Sequence, residues 1–175
     1  MTNMIEKARE QILSLVGAAY AALTMLLAPI SFGLVQFRVS EALCILPAFL
    51  PSASWGLWAG CALVNFMSGY GVPDIVFGSF ATLMASLCIA RIARGHSPML
   101  GWWRCLAVCA MPVIWNGPIV GGVIAWSTGA FWAALPLSAA QIAVEEAAVM
   151  VILGLPLLRL LPRSRAFTHA LARVQ

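Results

Sequence analysis

Charge is what this sequence has least of. Only 9% of its 175 residues are charged and 62% are hydrophobic, with a mean hydropathy of +0.95. A soluble domain carries about 25% charged residues, so there is too little polar surface here to cover a water-soluble globule. Lipid is the alternative solvent, and the length allows about five to seven spans of roughly 20 residues in one compact domain. Histidine is nearly absent too, at His96 and His169 only. HExxH, Walker A, CxxC and GxSxG patterns are all missing. An enzyme is therefore poorly supported and an ATPase unsupported, so any ATP-driven work must use a partner's nucleotide site. The five cysteines are scattered and read as buried packing thiols. A net charge of +4 carries no nucleic-acid signal. The mixed-charge lead Glu6, Lys7, Arg9 and Glu10 is unlike a signal peptide, so the first span is expected to stay.

What charge there is divides the chain. Span 1 is expected at about 12–30, span 2 at 39–50, span 3 at 55–67 and span 4 at 75–91. No charge falls in residues 105–144. That run holds span 5 at 106–125 and a loop at 126–134, with span 6 at 135–158 and a basic tail at 159–175. Spans 2 and 3 are short, because twelve helical residues reach about 18 Å against roughly 30 Å of hydrocarbon. Lys7 and Arg9, then Arg91, Arg94 and Arg104, then Arg159, Arg163, Arg165 and Arg173, all fall on one side of a six-span arrangement. The positive-inside rule makes that side, with both termini, cytoplasmic. The basic tail reads as a short surface helix or frayed end, with lipid headgroups as a possible contact.

Polar groups inside apolar runs are the candidates for chemistry. Glu145 and Glu146 lie near the middle of span 6, where a carboxylate costs about 2.5–3.5 kcal/mol to insert, and such residues default to a functional reading. The two point about 100° apart. Gln141, one turn earlier, shares a face with Glu145 and makes it the preferred site member. Asn116 stands between Pro112 and Pro118, which are expected to kink or unwind span 5. Its amide then serves either a ligand or the freed carbonyls. Asn65 and Asp74 flank a Gly-rich turn, where Asp74 reads first as a helix N-cap and alternatively as a ligand carboxylate. Trp102 and Trp103 beside Arg104 read as interfacial anchors. Trp126 and Trp132 read as the opposite belt or as a stacking face for a flat ligand, as does Trp115. Ala18 and Ala22 form a small-xxx-small pair that lets another helix approach closely.

Taken together, "AYAALTMLLAPISFGLVQFRVSEALCILPAFLP", "GLWAGCALVNFMSGYGVPDIVFGSFATLMAS", "WNGPIVGG" and "EEAAVMVILGLPLL" resemble the QueT family over nearly all of residues 18–160. These are substrate-binding S components of energy-coupling-factor (ECF) transporters. The resemblance implies an all-α membrane protein with the six-transmembrane-helix S-component fold. It implies capture of a queuosine precursor, a 7-deazaguanine base or derivative, from outside the cell membrane. It also implies partners: a transmembrane coupling subunit (T component) and two ATPase subunits that hydrolyse the ATP, with Ala18 and Ala22 at the helix contact and no cofactor in this chain. A flat base favours aromatic stacking, and its N1–H and 2-amino donors suit one carboxylate. Glu145 or Glu41 is expected at that edge, and Asn116, Gln36 or Arg38 at the carbonyl. An autonomous proton-coupled transporter or channel is the alternative.

The segment "APISFGLVQFRVSEAL" gathers three of these candidates. Arg38 is the sole basic residue on the predicted outer side. If span 2 starts near it, Arg38 and Glu41 are three apart on one face and are expected to pair. The loop around Gln36 is expected to fold over the pocket as a lid braced by that pair.

Overall fold

The structure is a computed structural model that describes residues 2–32, 36–95 and 99–172. The centre of the expected lid (33–35), His96 and Arg173 lie outside the described residues. Every regular element among those residues is helical. Helix α1 (Thr2–Leu26) ends in the short turn α2 (Ala28–Ser31), and a 3-10 helix follows at Val39–Ala48. Then come α3 (Ala53–Asn65), a π-helical turn at Asp74–Gly78 that runs into α4 (Ser79–Ala93), and α5 (Trp102–Ser127). Helix α6 (Phe131–Val149) continues through a π turn at Met150–Gly154 into α7 (Leu155–Leu160), and α8 (Arg165–Ala172) closes the chain. By length and composition, Asp74–Ala93 and Trp102–Ser127 qualify as membrane spans.

The distribution of polarity is that of a protein dissolved in lipid. Leu63, Phe66, Phe77, Leu137, Val144 and Ile152 are all more than half exposed. Ser40, Glu41, Asn65, Asp74, Thr82 and Asn116 are buried. In water that arrangement would forfeit the hydrophobic effect. In hydrocarbon it places each polar group where another can satisfy it.

Small residues set how closely the helices pack. A Cβ on Gly56 would lie 2.4 Å from the Leu13 carbonyl oxygen, and one on Gly60 would lie 2.6 Å from that of Gly17. The backbones of α1 and α3 therefore touch, which in lipid is the main source of helix affinity. Helices α5 and α6 meet in the same way, with a Gly121 Cβ only 2.5 Å from Ala139 Cα. Their connection is 128–130, shorter than the loop expected at 126–134. Gly129 supplies the left-handed residue (φ 72°) that reverses the chain. Thr128 Oγ1 bonds the Ala125 carbonyl at 2.7 Å and accepts from Ala130 N at 3.2 Å.

Two local expectations are corrected. Helix α5 runs through Pro112 and Pro118 without unwinding. The departures from α geometry occur instead at the two π turns, in the 3-10 helix and in a further 3-10 turn at Leu161–Arg163. The helix at Val39–Ala48 has ten residues, long for its type, and at about 2.0 Å per residue it reaches roughly 20 Å. It packs against α1, α3, α4 and the Met150–Gly154 turn. Its threefold repeat stacks Cys44 on Glu41, and the Cys44 thiol donates to Glu41 Oε2 at 3.0 Å.

Candidate ligand-binding site

Of the six acidic residues in the chain, Glu41, Asp74, Glu145 and Glu146 are buried in the helical bundle. Arg38 is the buried arginine or lysine that faces them, among the described residues. They gather around one polar cavity lined by Gln36, Arg38, Glu41, Gly78, Thr82, Asn116, Val120, Ile142 and Glu146. Its free volume is about 10 Å³, room for the centre of one water molecule. Six segments build it: the extended strap before the 3-10 helix, the 3-10 helix itself, the end of the Asp74–Gly78 turn, the start of α4, and the facing sides of α5 and α6.

The strap is held at three points, one of them Phe37 N donating to the Ile30 carbonyl at 2.9 Å. Gln36 N donates to Glu145 Oε2 at 3.1 Å, and Gln141 Nε2 donates to Glu145 Oε1 at 3.0 Å. Arg38 Nη2 meets Asp74 Oδ2 at 3.5 Å, and the guanidinium lies 5.5 Å from the centre of the Phe32 ring. The expected Arg38–Glu41 pair is thus replaced by Arg38–Asp74. The cause is local: Arg38 is in extended geometry (φ −86°, ψ 92°) just outside the 3-10 helix, so it shares no helical face with Glu41. Asp74 makes no side-chain cap, because its carboxylate turns inward to Arg38. Asn65 Nδ2 fixes this corner by donating to the Asp74 carbonyl at 2.9 Å.

Glu41 is satisfied from behind. Tyr20 OH donates to its Oε1, the Thr82 hydroxyl reaches the same oxygen at 3.5 Å, and Cys44 takes Oε2. The hydroxyls of Thr24 and Ser40 share a 2.7 Å bond beside this group. On the other wall Asn116 Nδ2 donates to Glu146 Oε1 at 2.8 Å. The adjacent glutamates divide as their angular offset requires. Glu145 faces the strap, and Glu146 faces the cavity.

Of the candidates read from sequence, Gln36, Arg38, Glu41 and Asn116 line the cavity. Asn65, Asp74, Gln141 and Glu145 stand behind that lining. Trp126 is 70% exposed at the α5–α6 turn, edge-on to Phe131 at 6.3 Å between ring centroids, and lines a separate apolar groove. Trp115 packs with Ala81, Val120 and Ile142. The apolar part of the cavity lining is therefore Val120 and Ile142 rather than tryptophan. Ala18 and Ala22 are exposed on α1, and Ala18 borders a groove with Gly17, Gly56 and Gly60. Sequence reasoning missed Gly78 and Thr82 as lining residues, and of the two glutamates it singled out it preferred Glu145, whereas Glu146 is the one that lines the cavity. For Gly78 the signal is steric, since a Cβ there would sit 2.5 Å from Asp74 Oδ1 and 2.8 Å from Asn65 Nδ2. Among the described residues no group of three or more His, Cys, Asp and Glu side chains is arranged to hold a metal.

A family model described as QueT transporter matches residues 11–163. The chain is 38% identical over 74 residues to the queuosine precursor transporter QueT of Lactococcus lactis subsp. cremoris (strain MG1363). That stretch is 41% of this chain and 43% of the relative, so the match spans less than half of either. No solved structure matches.

Proposed function

The chain belongs to the QueT transporter family, and from that premise we propose that it is the substrate-capturing S component of an ECF importer for a queuosine precursor. It sits in the cell membrane as six spans with both termini in the cytoplasm. It takes a 7-deazaguanine derivative from outside and delivers it through a coupling subunit and two ATPases. The chain itself performs no catalysis and carries no cofactor. The observation behind the reading is the cavity: a chain with few charges concentrates four carboxylates, one guanidinium and three side-chain amides (Gln36, Asn65 and Asn116) at one buried place. Such groups are costly in a membrane and mark a ligand or ion path. A planar base needs more room than the cavity now has, so capture requires the strap at Gln36–Arg38 to lift.

Titration of the detergent-purified protein with 7-deazaguanine and its aminomethyl and nitrile derivatives tests capture, with saturable binding expected. Uptake of a labelled precursor by cells with and without the ATPase module tests coupling. Uptake that persists without the module would favour an autonomous, proton-coupled transporter, for which the adjacent buried Glu145 and Glu146 are the relevant feature.

A further inference from the structure

We propose that Glu146 and Asn116 form a locked pair of acceptors that reads the donor edge of the ligand, and so selects a 2-amino-substituted ring over its unsubstituted counterpart. This inference rests on the reading of the chain as a binder of 7-deazaguanine compounds, and it assigns the recognition to residues.

The starting point is which buried polar atoms are already occupied. Both Glu41 oxygens accept bonds from the protein, as do both Glu145 oxygens. Glu146 Oε2 and Asn116 Oδ1 have no hydrogen-bond partner among the described residues. Both residues are more than nine-tenths buried and line the same cavity. Leaving a buried acceptor unpaired carries the full desolvation penalty of that group, larger still for a charged one. A ligand that fills both positions therefore recovers energy the empty site forgoes.

The donor or acceptor sense of the pair is fixed internally. With Glu146 ionised, both of its oxygens accept, so the Asn116 amide presents its nitrogen to Oε1, at 2.8 Å. Turning the amide over would set oxygen against oxygen. Asn116 thus offers Oδ1 as an acceptor, and Glu146 offers Oε2. Two acceptors on side chains bonded to each other in one cavity complement two adjacent donors, such as a ring N–H beside an exocyclic amine. They oppose an adenine-like edge, which has a ring acceptor in place of the N–H. Arg38 lines the same cavity, and its Nε–H also lacks a partner among the described residues. That donor suits the carbonyl on the other side of the same ring edge. One donor and two acceptors match the carbonyl, ring N–H and amine of a 2-aminopyrimidinone.

Two ring compounds and one variant separate the outcomes. The probes are 7-deazaguanine and 7-deazahypoxanthine, which lacks only the 2-amino group, titrated calorimetrically into the purified protein. Wild type is expected to bind 7-deazaguanine about 10- to 100-fold more tightly, the range for a hydrogen bond to a charged group. In Glu146→Gln the oxygen still accepts from Asn116, and the new NH₂ meets the ligand's donors. Affinity for 7-deazaguanine should fall at least tenfold, and the two probes should come within about threefold of each other. Equal binding of the probes by wild type would overturn the proposal with no variant needed, should Glu146→Gln fail to fold. Preference retained in a folded Glu146→Gln would overturn it too. Binding of neither probe by wild type would instead sink the functional reading on which the proposal rests.

Discussion

At the scale of single residues, the geometry turns on which carboxylate holds Arg38. The Arg38–Asp74 contact is a buried pair at 3.5 Å, with side chains 7% and 1% exposed. Removing one partner of such a pair leaves the other charge buried alone, at about 3–5 kcal/mol. Arg38→Ala should therefore lower the melting temperature of the detergent-purified protein. Adding Asp74→Asn should restore much of the loss, because the stranded charge is then gone. Adding Glu41→Gln should restore none, since Tyr20, Thr82 and Cys44 already hold Glu41. Rescue by Glu41→Gln in place of Asp74→Asn would reinstate the pairing that spacing alone suggests. Spacing misled here because it assumed an α-helix from Arg38 onward. The same limit explains Glu146. An i, i+4 relation correctly ties Gln141 to Glu145, but that bond occupies Glu145 and turns Glu146 to the cavity. Sequence shows that two adjacent side chains diverge; only the packing of α5 against α6 decides which one faces inward.

At the scale of elements, glycine governs distance. On α1 and α3, Gly17, Gly56 and Gly60 leave backbone against backbone, and backbone cannot swing aside as a side chain can. Gly56→Ala and Gly60→Ala should each cost about 1–3 kcal/mol, the range for overpacking, and lower the thermal midpoint by several degrees. Gly69→Ala is the control, since nothing lies within 4 Å of its Cβ position. An unchanged midpoint in Gly56→Ala would mean that α1 and α3 stand farther apart than described. The small-residue pattern was legible in α1 as Ala18 and Ala22, yet the internal contact falls one position away, at Gly17. Small residues announce a close approach without saying whether the partner is the same chain. The 3-10 helix was less legible still. Its ten residues read as a short α-helix, and even the larger 3-10 rise carries them only roughly 20 Å, so shelter by neighbours rather than length accounts for the segment. Sheltered by α1, α3, α4 and the Met150–Gly154 turn, the segment needs no further length of its own.

At the scale of the whole molecule, the remaining question is which ends of the bundle face which solvent. Hydropathy and the Lys/Arg bias bear on it in different ways: one locates spans and the other orients them. The fold adds a reason to expect low background in a chemical test. Cys44, Cys61, Cys105 and Cys109 are buried and Cys88 is half-buried. With Cys88→Ala as parent, single cysteines at exposed positions near the element ends report sidedness. Gly69→Cys and Ala130→Cys mark the ends expected outside; Gly101→Cys and Ala166→Cys mark those expected in the cytoplasm. A membrane-impermeant maleimide applied to intact cells should label the first two at once, and the second two only after permeabilisation. Each adjacent pair tests one crossing. Gly69→Cys and Gly101→Cys bracket Asp74–Ala93, while Gly101→Cys and Ala130→Cys bracket Trp102–Ser127, the two stretches long and apolar enough to span unaided. Ala130→Cys and Ala166→Cys bracket α6 and α7, where two buried glutamates and a π turn make crossing depend on neighbours rather than on hydropathy. If Ala130→Cys and Ala166→Cys labelled from the same side, the last helix would not cross, and the cavity would lie at a membrane surface, where its carboxylates would need no ligand to offset their burial.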